Sequence, residues 1–77
     1  MPASREHWQA FIDWCQREID ERKTNLAPME RGAVRTGRRG PDTGGEWIDT
    51  TAANIQSIKN EIASLQTTID RNRHNVE

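Results

Sequence analysis

The sequence predicts an all-α protein, an antiparallel two-helix hairpin with coiled-coil-like packing, completed as a four-helix bundle by dimerisation. Three observations carry this prediction. Two segments repeat apolar residues at alternate spacings of three and four, and all five glycines fall between those segments, from Gly32 to Gly45. At 77 residues, with 32% hydrophobic and 30% charged side chains, the chain is also too short and polar to bury a self-sufficient core. The chain therefore reads as a single helical-hairpin domain, 1–77, with a helix over 4–26, a Gly/Arg-rich connector over 27–48 and a helix over 49–75.

In the first segment Trp8, Ile12, Cys15, Ile19 and Leu26 share one helical face. Ser4 is suited to cap the first turn through its hydroxyl, and Glu6 places negative charge where the helix dipole favours it. Asp13/Arg17 and Glu18/Arg22 stand one turn apart in the favourable acid-first order. Pro28 lacks a backbone donor and disfavours helical geometry at Ala27, which sets the expected end near Leu26. The competing expectation is a bent helix that keeps Met29 on the seam and stops near Arg31, with Gly32 as its C-terminal residue.

The connector contains Arg31, Arg35, Arg38 and Arg39 among its glycines, and a loop of this length is commonly functional or disordered. A short β-hairpin pairing 33–36 with 46–49 is weakly signalled. Beyond it Asp49 or Thr50 can cap a second helix. There Ile55, Ile58, Ile62, Leu65, Ile69 and Val76 occupy heptad core slots, with Asn72 in the remaining slot and Ile48 and Thr51 extending the seam backward.

A flexible connector between two such helices favours folding back, which would set Trp8 near Ile69 and Asn72, Cys15 near Ile62 and Leu65, and Leu26 near Thr51 and Ile55. Each seam then touches only one neighbour and stays partly wet. Association with a second copy, or with a partner protein, is the expected remedy. Trp14 lies about 100° from the centre of the first stripe, with Phe11 between. Either Trp47 or the loop covers it, or Phe11 and Trp14 anchor a second interface.

These features predict a non-enzymatic protein–protein interaction module. Its expected interface residues are Trp8, Phe11, Trp14, Trp47, Ile55, Ile62 and Ile69. The alternative is a small nucleic-acid-binding accessory protein that contacts phosphates through Arg31, Arg35, Arg38 and Arg39. A net charge of −1 argues against a general attraction to nucleic acid or to an acidic membrane.

Catalytic and cofactor chemistry find no foothold in the sequence. No nucleophile–base pair stands out, the glycines at 37, 40, 44 and 45 match neither nucleotide-binding fingerprint, and His7 and His74 lack metal-ligand spacing. No enzyme activity, cofactor or metal is therefore expected. Cys15 sits on the seam, where a thiol packs as a small apolar group. One cysteine, no secretory leader and no long apolar run lead to the expectation of a cytoplasmic protein without membrane association.

Overall fold

A computed structural model describes residues 4–77. Two helices, α1 (Arg5–Glu30) and α2 (Thr51–Asn72), pack along each other, and a 3-10 turn at Arg73–Asn75 prolongs α2. The chain is mostly helical. The connector occupies 31–50 rather than 27–48 and is not a plain loop. Its two-residue strands β1 (Gly37–Arg38) and β2 (Ile48–Asp49) pair antiparallel, Gly37 opposite Asp49, around a 3-10 turn at Pro41–Thr43.

Ser4 caps α1 as expected, its hydroxyl accepting from the His7 amide at 3.3 Å. The other end corrects the expected stop at Leu26, because α1 runs through Pro28 to Glu30. Proline forfeits one intrahelical bond. Against that loss, Met29 is buried behind it and Gly32 closes the helix at φ +79°. The Gly32 amide donates to the Met29 carbonyl at 3.2 Å and the Ala33 amide to the Pro28 carbonyl at 2.9 Å. This is a Schellman cap, which satisfies last-turn carbonyls through a left-handed residue.

At the start of α2, Thr50 makes no side-chain cap, and the Asp49 carboxylate accepts from the Thr51 amide at 2.8 Å instead. Among the described residues Thr51 is the one buried polar side chain, and its hydroxyl both accepts from the Thr36 amide (2.9 Å) and donates to the Thr36 carbonyl (3.2 Å). Asn54 donates to the Thr36 hydroxyl at 2.6 Å. This polar knot ties the connector to the first turn of α2. Ile48, expected on the seam, stands exposed in β2 instead.

The core is a cluster of Cys15, Ile19 and Ile69, flanked by Ile12, Ile62 and Leu65, with Leu26 and Met29 buried farther along α1. Arg22 meets Glu61, and Arg5 donates to the backbone carbonyl of Glu77 at 2.9 Å. These contacts bring Ile69, besides Ile62 and Leu65, into the cluster around Cys15. Cys15 thus lies with Ile62 and Leu65 as expected, and Ile69, expected near Trp8, joins the same cluster. Ile55, Ile58, Ile62 and Leu65 remain half-buried, because a hairpin only 15 Å across its shortest axis offers each helix one neighbour.

Candidate functional site

The side chains available for recognition lie on α1 and on the connector, and helical periodicity explains the first group. Trp8 sits on the seam and is half-buried, whereas residues three and six positions later turn progressively away from it. Trp8 and Phe11 meet edge to face with ring centroids 6.1 Å apart, and Phe11 and Trp14 stack at 6.3 Å with 17° between their planes. The three rings form a ladder. Phe11 remains 38% and Trp14 47% exposed.

Trp47 does not cover Trp14. Its indole lies on Gly37 in the connector ribbon, so close that a Cβ at position 37 would fall 2.1–2.4 Å from the ring. Gly37 is glycine because of this approach. Val34, Trp47 and Ile48 are the exposed apolar residues of that region. The seven expected interface residues therefore separate: Trp8, Phe11 and Trp14 adjoin, Trp47 lies apart, Ile55 and Ile62 line the half-buried seam, and Ile69 is 2% exposed inside the core.

Down α1 from the ladder, Glu18, Glu21 and Asn25 continue the row at helical spacings. With Arg22 of the same helix and Ile58 and Glu61 of α2 they line a shallow groove of about 440 Å³. Arg22 donates to Glu61 at 2.8 Å and to Glu18 at 3.3 Å, leaving an excess of carboxylates over guanidinium. The groove carries negative charge beside an aromatic surface.

The four connector arginines are exposed but not equivalent. Arg35 pairs with Asp49, and Arg38 reaches Asp42 at 2.6 Å. Among the described residues Arg31 and Arg39 make no ion pair. The Asp49 carboxyl is held down at about 2 by hydrogen bonding with the Thr51 side chain, then by Arg35 and by the Thr51 amide. It serves as a structural anion.

No other chemistry gathers on the described surface. Burial pushes the Cys15 thiol up, opposed by a backbone hydrogen bond, which keeps the sulfur protonated. Among the described residues no three His, Cys, Asp or Glu side chains converge as a metal site, and no helix is long and apolar enough to cross a membrane. Compared with family models, curated proteins and solved structures, the chain matches none.

Sequence reasoning paired Arg22 with Glu18, as the structure does, but missed its reach across the seam to Glu61 and the Thr36–Thr51–Asn54 knot. The gap of seven between Ile19 and Leu26 marked Arg22, since a continuous heptad requires a side chain there. The knot had no comparable signal, because it joins residues 15 to 18 positions apart.

Proposed function

We propose that this protein is a non-enzymatic protein–protein interaction module. It associates through its aromatic face and half-buried helix seam, either with a second copy to complete a four-helix bundle or with a partner protein. The observation that carries this reading is the Phe11–Trp14 stack. The two rings order each other yet keep large exposed fractions, and preordered aromatic surface is what interface anchors present. The half-buried isoleucines of α2 point the same way.

Trp14→Ala tests it. The variant is expected to retain its helical circular dichroism, since Trp14 lies outside the core, and to lose about 2 kcal/mol or more of association free energy with modest salt dependence. Unchanged association, measured by sedimentation across micromolar concentrations, would refute it. Nucleic-acid binding through Arg31, Arg35, Arg38 and Arg39 is the weaker alternative, because Arg35 and Arg38 already satisfy carboxylates of their own chain. Steep loss of RNA or DNA binding with salt, abolished by replacing Arg35, Arg38 and Arg39 together, would favour that alternative.

A further inference from the structure

We propose that the occupant of the aromatic row is a basic amphipathic helix of a partner protein. It lies along residues 11–25 with apolar side chains on the rings and lysines or arginines at the carboxylates of the adjoining groove. The proposal rests on the association reading above and adds the chemistry of the partner.

Continuity of the two surfaces is the first argument. Glu18 stands one turn after Trp14, and Glu21 and Asn25 follow at steps of three and four, so the rings and the acids share one side of α1. The groove joins that side to α2, since Glu18, Glu21 and Asn25 line it together with Ile58 and Glu61. Exposed rings, a half-buried isoleucine and carboxylates therefore adjoin in one strip. From residue 11 to residue 25 the strip is about 21 Å long, the length of about four turns of a partner helix.

Charge is the second argument. Three carboxylates, Glu18, Glu21 and Glu61, share the groove with one guanidinium, Arg22, which leaves an excess of two negative charges. Arg22 is held by Glu18 and Glu61, and Glu21 makes no ion pair among the described residues. Lys59 of α2 pairs with Glu30 at 3.2 Å and not with these acids. Farther round α1 from the seam, the exposed Asp13 and Arg17 carry one charge of each sign and leave the balance unchanged.

Lysine and arginine match both halves of this strip, because each carries an apolar stem and a charged head. Trp14 is 47% exposed and one turn from Glu18, so a stem resting on the indole brings its head within reach of a carboxylate. A cation beside the ring gains from the ring's own field as well. Leucine-like side chains suit Phe11 and Ile58, and an amphipathic helix presents both kinds at steps of three and four.

The same strip of a second copy lacks this chemistry, because Arg22 is the one base lining the groove and is already paired. Nucleic acid lacks it too, since phosphates would meet carboxylates. A contact one helix wide and about 21 Å long belongs with the small, transient interfaces, and micromolar affinity is expected.

The test uses the full chain and two labelled helical peptides of about 15 residues, read by fluorescence anisotropy. One peptide carries leucines on one face with lysines along its flanks, and the other has glutamate in place of every lysine. The leucine–lysine peptide is expected to bind about tenfold tighter or more than its glutamate counterpart. Trp14→Ala is expected to weaken that binding about thirtyfold and Glu21→Lys about fivefold or more, with circular dichroism unchanged. Asp20→Lys makes the same charge change on a side of α1 turned away from the strip and is expected to leave binding unaltered. Equal affinity for the two peptides, with loss on Trp14→Ala, overturns the basic partner while leaving association through the rings standing. Equal losses from Glu21→Lys and Asp20→Lys overturn the groove as the site, because net charge alone would then govern binding. A chain that binds neither peptide yet self-associates through Trp14 overturns the basic partner in favour of a second copy. Binding that ignores Trp14→Ala overturns both readings.

Discussion

Arg22 donates from Nε to Glu61 Oε2 at 2.8 Å across the helix seam, from a slot where the heptad of α1 otherwise places apolar residues. Both groups are partly in water, so the pair adds little stability, and its value lies in register. With the slot filled by leucine, an uninterrupted apolar stripe would permit α2 to slide by a turn. Arg22→Leu is expected to leave the melting temperature unchanged or higher while broadening or doubling the amide resonances of α2. A single sharp set of resonances with a lower melting temperature would contradict this role.

Ile69 is 2% exposed, beside Cys15 and Ile19, and it belongs to a core of few residues. Ile69→Ala is expected to cost about 2–5 kcal/mol, a large share of the stability of any chain this small. The half-buried Ile55 should lose clearly less on the same change. Urea unfolding of the two variants under identical conditions makes the comparison, and equal losses would mean that the two positions are equally buried in solution.

The ring of Trp47 occupies the space where a side chain at Gly37 would begin. In a chain whose other two tryptophans are replaced by phenylalanine, Gly37→Ala is expected to shift Trp47 emission to the red as the indole swings into solvent. The helices should be unaffected, since no ribbon residue belongs to the apolar cluster of Cys15, Ile19 and Ile69. Unchanged emission would show that the ring does not rest on Gly37.

Asp49 titrates far below its ordinary value of 3.8, at about 2. Because the folded form binds this proton less readily than the unfolded one, its stabilisation is complete above about pH 4 and is lost as pH falls from there towards 2. Melting temperatures between pH 2 and pH 5 should therefore decline on acidification. Asp49→Asn is expected to lower the melting temperature at neutral pH and to flatten this decline. An equally steep acid limb in the variant would assign the effect to other carboxylates.

Much of the architecture is present in local sequence. The heptads of α2 and the cap at Ser4 depend on residues within a turn or two of each other, so periodicity and hydrogen-bonding chemistry decide them without reference to the rest of the chain. The off-seam position of Trp14 follows from the same 100° step, whereas its exposure was decided by the seat of Trp47 on Gly37 instead.

Other features depended on groups distant in sequence or on competition between local preferences. Pro28 alone argues for a stop, and only the burial of Met29 with the Gly32 cap carries α1 past it. The meeting of Ile69 with the Cys15 cluster and of Glu61 with Arg22 joins residues far apart in the chain. The pairing of Arg35 with Asp49 and the seat of Trp47 on Gly37 likewise join connector residues 10 or more positions apart. Local sequence determines which face of each helix is apolar, because that depends on side-chain spacing alone. How far the two faces slide, and which arginines and aromatics remain available to a partner, depends on contacts that exist only once the chain has folded back.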